Sequence, residues 1–343
     1  MKILVAMPEG VASTPTFFTE RAKKELEALG EVIYNTSDKQ FTDEELSEAL
    51  KDVDIVFCGW GTQRYTADIL KNANNLKILA YTAGSMNAVV SEELYAKGVR
   101  VLGANCVFAE SVAEGCLCYT LASLRRIEKY VMRMRSGGWK KDNDFYEGIL
   151  DKSVGLIGFG KIAQYFAEML KPFHVKLKIV SGHLSAEEAA KYNAEVATLE
   201  EVCSTCDVIS LHYSLSDKTY HMIDEEHIKM FKDDALFINT SRGAIVDEEA
   251  LIKELKTGRI RAALDVYERE GTGLSDDNPL RTLPNVMPMP HMGGPSIDRR
   301  EYCVLNLIRD IKAVLADPSV AVETDVDMEY ASRMTGKVTL TKK

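Results

Sequence analysis

Short apolar runs alternate with segments of helical spacing along nearly the whole chain. Ile3 to Ala6 is continuously apolar and reads as a buried strand. Thr16 to Leu29 puts Phe17, Ala22, Leu26 and Leu29 on one face and stops at Gly30, so a single helix is expected there. A second strand follows over 32–34. Thr42, with Glu45 three residues on, forms a capping box and opens a helix to Leu50. Strands over 54–58, 76–81 and 99–102 then alternate with helices over 66–72 and 91–97. This rhythm implies a parallel sheet with helices on both faces.

A long helix is expected from Ser111 towards Arg135, carried by Val112, Cys116, Tyr119, Leu124, Ile127 and Val131 and ended by Gly137-Gly138. It would take the chain into a second domain. There the alternation resumes, with strands over 153–157, 176–180, 207–211, 235–239 and 260–264. Helices fall over 161–170, 185–192, 224–230 and 247–257, with a short one before Asp207. Beyond Val286-Met287 lies a Pro- and Gly-rich turn over 288–295, and a helix from Ile297 to Leu315 would lead back. The fold class is α/β: two Rossmann-like domains with a cleft between them, one flavodoxin-like (1–115 plus 296–343) and one a dinucleotide-binding Rossmann domain (116–295). Residues 330–343 are polar and read as a loose tail.

One stretch carries chemistry in its pattern. Val154, Leu156 and Ile157 form an apolar strand, and Gly158-Phe159-Gly160-Lys161-Ile162-Ala163 follows at once. A G-x-G-x-x-G/A fingerprint between strand and helix is the context of a dinucleotide site. Gly158 permits the tight turn, Gly160 lets backbone approach a pyrophosphate, and Ala163 allows close helix–strand packing. The helix N-terminus would hold the phosphates. The second strand should end in an acid for the ribose 2′-hydroxyl, but Ser181-Gly182-His183 stands there.

Composition narrows the function classes. The 343 residues are 46% hydrophobic and 27% charged, as in globular domains, and the net charge of −10 with no basic run argues against a nucleic-acid or membrane-surface partner. No apolar run approaching membrane-spanning length is apparent, and the first seven residues read as a strand rather than a signal peptide. Seven cysteines suit free thiols in a reducing cytoplasm, and Cys203-Ser-Thr-Cys206 reads as buried structural thiols, with no second pair to make a metal site.

Four residues at successive strand ends could do chemistry. Arg242 follows the strand Ala235 to Ile238 and suits a carboxylate or a carbonyl. Asp265 ends the strand Ala262 to Leu264 and reads as a helix cap or a cofactor ligand. Glu270 lies five residues on, and His291 sits in a Pro- and Gly-rich loop. A His with a carboxylate beside it is a general acid/base for interconverting a carbonyl and an alcohol.

Val154 to Ala163, Asp207 to His212, Phe237 to Gly243, Val246-Asp247, Ala263 to Glu268 and Pro290-His291 together resemble the D-isomer-specific 2-hydroxyacid dehydrogenases. Ala83-Gly84-Ser85 and Ser111 to Glu114 also match, so the resemblance spans roughly 50–315. It implies an NAD(P)-dependent oxidoreductase that moves a hydride between nicotinamide and C2 of a small D-2-hydroxy acid or 2-keto acid. By that resemblance Arg242, Glu270 and His291 are catalytic, and Gly84 and Ser85 bind substrate with Arg242. Apart from the resemblance, Trp60, Tyr81, Met86 and Phe108 either shape the side-chain pocket or belong to the core, core being favoured for Tyr81. Lys161, Ile162, Tyr213, Ser214, Thr240, Ser241 and Asp265 would line the cofactor with Gly158 and Gly160. Domain 1–115 plus 296–343 would bind substrate, domain 116–295 the cofactor, and two copies would pair through the cofactor domain.

Three departures stand out. Ser181 replaces the usual acid, so Ser181 and His183 can face a 2′-phosphate and the cofactor is NAD or NADP. Tyr213-Ser214 replaces Val-Pro or Ala-Pro, and Gly271 replaces the Pro after the Glu. Glu270 argues against the formate dehydrogenase branch, whose His pairs with Gln. A nucleotide-sensing, corepressor-like protein with little or no turnover is the alternative from another class.

Overall fold

The computed structural model describes residues 1–270 and 273–334. The chain divides into two compact units, Met1–Phe108 with the described residues from Pro295 onward, and Ala109–Gly294. The first crossing falls inside the helix Asn105–Leu124.

The first unit holds a five-stranded parallel sheet of β1 (Lys2–Val5), β2 (Glu31–Tyr34), β3 (Ile55–Cys58), β4 (Ile78–Tyr81) and β5 (Arg100–Gly103). Their order is β2-β1-β3-β4-β5. Strands buried on both faces need apolar residues at every position, and β3 and β4 have them. Alternate residues go to opposite faces. Ile3, Val5, Ile55 and Phe57 pack with the helix Arg300–Ala316. Leu4, Val56 and Leu79 pack with residues of the helices Asp43–Ala49, Ala67–Leu70 and Glu92–Ala96.

The second unit is a seven-stranded sheet of β6 (Ser153–Ile157), β7 (Lys176–Val180), β8 (Ala194–Val196), β9 (Val208–Leu211), β10 (Leu236–Asn239), β11 (Arg261–Leu264) and β12 (Val286–Pro288). All neighbours are parallel, in the order β12-β11-β10-β9-β6-β7-β8. This is the doubly wound dinucleotide-binding order with one further strand at the β12 edge. Gly155 in β6 admits the helix Leu199–Thr205, since a Cβ there would meet Val202 Cγ1 at 2.3 Å.

Several expectations are corrected. The helix expected over Thr16 to Leu29 is two, Thr14–Phe17 and Glu20–Glu27, because Thr19 turns extended, caps Ala22 and donates to Glu301. The long helix to Arg135 breaks after Leu124, where Arg126 is left-handed at φ 51° and bonds Asp234; Ile127–Arg135 is a separate helix. β8 and β12 are additional strands, and β12 occupies the start of the expected turn. The helix Asn105–Leu124 is long and apolar enough to cross a membrane by length and composition. Its Ala113, Cys116, Tyr119 and Leu124 are packed in the core of the second unit. The expected tail begins as the helix Met328–Arg333; the rest of it, and Gly271, lie outside the described residues.

Candidate active site

Register sets the site in the second unit. Ile157 pairs with Val180 and Leu211, Leu211 with Asn239, Asn239 with Leu264, and Leu264 with Pro288. Parallel strands ending in step deliver their following turns to one edge. Gly158, Ser181, Tyr213, Thr240, Asp265 and His291 therefore all emerge from the C-terminal edge of this sheet. Sheets of this kind bind ligands outside that edge, where the strand order reverses. Here the reversal is between β6 and β9.

At that point Gly158 has φ 98°, and a Cβ on it would lie 2.8 Å from the Tyr213 amide nitrogen. Both the dihedral and the space demand glycine. Gly160 begins the helix Lys161–Leu170 with no side-chain cap, and a Cβ there would meet nothing within 4 Å. The start of this helix is thus uncapped by a side chain and unobstructed at Gly160, which fits the phosphates of a dinucleotide. Ala163 is fully buried beneath them.

No carboxylate ends β7. The Ser181 hydroxyl accepts the His183 amide at 3.3 Å, and His183 is exposed. Tyr213 reaches across from β9, its hydroxyl 3.5 Å from the Val180 carbonyl, and burial pushes its phenol up. Ser214 is exposed, and Ser241 donates to the Tyr213 carbonyl. Thr240 is buried, with its hydroxyl 3.1 Å from the Cys116 thiol. His212, next to Tyr213, is held neutral by burial, which lowers it to about 3.

The turn after β10 is tightly held. Asn239 accepts the Ser241 amide at 3.0 Å and donates to the Arg242 carbonyl at 3.1 Å. Gly243 presses on the Tyr267 backbone, where a Cβ would approach within 1.8 Å. Arg242 is half-buried and spends one bond on the Ser241 carbonyl at 2.6 Å. Burial weakens its basicity, with Glu270 opposing; a guanidinium stays charged regardless.

His291 and Glu270 form a pair, His Nδ1 to Glu Oε2, at 2.8 Å. The Glu270 bond raises the imidazole above its ordinary value against the pull of burial. Burial works to raise Glu270, but the His291 bond, the Tyr267 amide and the charges of His291 and Arg242 bring it below the usual carboxylate range. With Nδ1 engaged, Nε2 is the nitrogen left to exchange a proton with a substrate. His291 sits at φ 52°, a left-handed backbone rarely adopted by a non-glycine residue. Asp265 holds it there. Its buried carboxylate accepts the Met292 amide at 2.8 Å and the Gly293 amide at 2.7 Å. Burial raises Asp265 above its ordinary value, the two amides opposing. The Tyr267 hydroxyl clamps the same region, sharing its one proton between the Leu264 and Met289 carbonyls.

In the first unit the strand order reverses between β1 and β3. Trp60 follows β3, 44% exposed, edge-on to Phe17 at 5.3 Å and to Phe108 at 6.0 Å. Gly84 and Ser85 follow β4 and are half-buried, and a Cβ on Gly84 would lie 3.3 Å from the Phe108 ring.

The profile of the D-isomer specific 2-hydroxyacid dehydrogenase NAD binding domain matches residues 117–293. A glyoxylate reductase of Thermococcus litoralis is 36% identical over 264 residues, 75% of this chain and 78% of that protein. The chain belongs to the D-isomer specific 2-hydroxyacid dehydrogenase family. A D-3-phosphoglycerate dehydrogenase of Methanocaldococcus jannaschii is 35% identical over 300 residues, 86% of this chain but only 56% of that longer relative. In fold, the chain superposes on a D-lactate dehydrogenase of Lactobacillus jensenii with a TM-score of 0.79 over 95% of its length and 100% of the other, at 23% identity.

The fold of this family member joins Glu270 and His291 by a 2.8 Å bond and sets Arg242 close enough for its charge to act on both. Sequence reasoning did not see that Asp265 anchors the His291 loop. Only the spacing of Asp265 ahead of a Gly-Gly loop hinted at it. Cys203 and Cys206 are buried free thiols, raised by burial to about 12 and about 11.

Proposed function

We propose that this dehydrogenase reduces a small 2-keto acid to the D-2-hydroxy acid, and runs the reverse reaction, with Arg242, Glu270 and His291 as its catalytic residues. The carrying observation is the 2.8 Å His291–Glu270 bond at the strand edge that also bears the dinucleotide turn. Gly158 to Ile162 would hold a nicotinamide dinucleotide, which would supply or accept the hydride. Arg242 binds the substrate carboxylate and polarises the C2 carbonyl. As C2 gains the hydride, His291 Nε2 gives its proton to the carbonyl oxygen, and Glu270 stabilises the imidazolium beforehand. In oxidation neutral His291 takes the hydroxyl proton. Gly84, Ser85 and Trp60 contact substrate, while Tyr213, Ser214, Thr240 and Ser241 line the cofactor. Asp265 sets the nicotinamide end through the loop it holds.

Both NAD and NADP are accepted in this reading. Ser181 offers a neutral hydroxyl where a carboxylate would repel a 2′-phosphate, and His183 stands beside it. A homodimer is supported by the outer surface of the second unit. No residue of the helix Ile127–Arg135 is buried. Met132, Met134, Trp139, Phe145, Tyr146 and Leu150 are each more than half exposed, an apolar surface of the kind that pairs with another copy. The seven free cysteines suit the cytoplasm. The relatives are named for catalysis, which favours turnover over nucleotide sensing. A 2-keto acid panel run with NADH and NADPH tests the reading. Turnover is expected with at least one acid and lost in His291→Ala. Binding without turnover on every acid, or near wild-type reduction by His291→Ala, would overturn it.

A further inference from the structure

We propose that Arg300 anchors a second anionic group on the substrate, so that the enzyme prefers 2-keto acids carrying a terminal carboxylate or phosphate. The inference deepens the function proposed above and rests on it.

Most half-buried arginines of this chain hold a carboxylate. Arg100 pairs with Asp325, Arg126 with Asp234, Arg133 with Asp144, and Arg259 with Glu254. Arg300 is half-buried and holds none among the described residues. Its acidic neighbours are committed elsewhere. Glu301 accepts from Thr19 and Arg21, and Asp298 from Ser296. One Arg300 nitrogen donates to the Thr16 hydroxyl at 3.2 Å, and Nε is buried without a hydrogen-bond partner. The guanidinium lies over the rings of Phe17 at 5.7 Å and Trp60 at 5.5 Å. Cation–π contact offsets part of the lost hydration, yet leaves the charge without a counter-ion.

Its place makes that vacant charge useful. Trp60 follows β3, next to the reversal of strand order in the five-stranded sheet, which is where such sheets hold ligands. Gly59 before it is pressed against the chain after β1 and β4, a Cβ there meeting Met7 Sδ and Thr82 Oγ1 at 2.7 Å each. From Trp60 the contacts run through Phe108 to Gly84. A substrate whose C1 carboxylate sits on the Gly84-Ser85 loop would extend its C3 end along Trp60 towards Arg300. A neutral tail would leave the guanidinium unpaired; an anionic tail would satisfy it with a charge-assisted bond.

The test compares matched acids: 2-oxoglutarate and 3-phosphohydroxypyruvate against 2-oxobutyrate and hydroxypyruvate. Wild-type kcat/KM should favour an acid with the second anionic group over its monoanionic partner by roughly ten- to a hundredfold, the worth of a charged hydrogen bond. The carboxylate and phosphate arms show which group is read. In Arg300→Met this preference should collapse at least tenfold through KM, with partial recovery in Arg300→Lys. If Arg300→Met fails to fold, the wild type still decides: its preference should shrink as ionic strength rises. No preference for the second anionic group in the wild type, or an equal loss for all four acids in Arg300→Met, overturns the inference. Reduction of none of the four with either nicotinamide overturns the proposed reaction instead.

Discussion

Glu270→Gln keeps the size of the side chain and an acceptor for His291 Nδ1 but removes the charge. In the native protein the imidazole is raised by the Glu270 bond, while burial and Arg242 pull it down. With the carboxylate neutralised, only the downward influences and the more distant Asp265 charge remain. A charge-assisted bond is worth about 1.5–3 kcal/mol, less where half the side chain is solvent-exposed, as His291 is at 51%. If ~1.4 kcal/mol survives, the ratio of protonated to neutral imidazole falls roughly tenfold at a given pH. Reduction needs protonated His291, so native kcat/KM should hold at low pH and decline as pH rises through the raised value. In the variant that decline should begin at lower pH. Oxidation needs neutral His291 and should lose less at neutral pH than reduction does. The assay is the pH dependence of kcat/KM in both directions. An unmoved limb, or equal losses in both directions at every pH, would refute the proton path through Nε2.

Ser181→Asp places a carboxylate at the end of β7 and should weaken NADPH binding about tenfold or more while sparing NADH; fluorescence titration of both reads it out, and equal affinities would count against the ribose assignment. Met132→Glu, on a surface that buries nothing, should leave stability within about 0.5 kcal/mol and shift sedimentation towards a monomer. A persistent dimer would move the interface elsewhere. Asp265→Asn opposes an NH2 group to the Met292 or Gly293 amide and should cost about 1–3 kcal/mol in denaturant unfolding. An unchanged midpoint would mean that the loop is held by other contacts.

The sequence was most informative where local chemistry decides structure. The strand 153–157, the helix 161–170 and the strand 176–180 have the boundaries expected of them, the first two from the apolar run and the glycines. The Thr42–Glu45 capping box forms as its spacing suggests. Legibility failed where a distant partner decides. Thr19 leaves the helix to bond Glu301, and Arg126 turns left-handed beside Asp234. β8 and β12 are three-residue strands at the two edges of their sheet, too short to show a periodicity. Within the site, the residue types at the strand ends pointed to Arg242, Glu270 and His291. The idle charge of Arg300 was invisible, because it is the fold that occupies its neighbouring acids with Thr19, Arg21 and Ser296.

The two-ended make-up of the first unit bears on how the protein is born. Its sheet is synthesised first, yet Cys303, Val304, Leu307, Ile308 and Ile311, which cover one face of that sheet, come from the helix Arg300–Ala316. The intervening unit is contiguous and can complete itself while the earlier sheet still waits for its cover. A ribosome adding about 5–20 residues per second would expose Ile3, Val5 and Phe57 for many seconds. Translation pauses, chaperone occupancy and premature termination should therefore endanger the N-terminal sheet before the nucleotide fold, with truncated chains aggregating through the older half of the molecule.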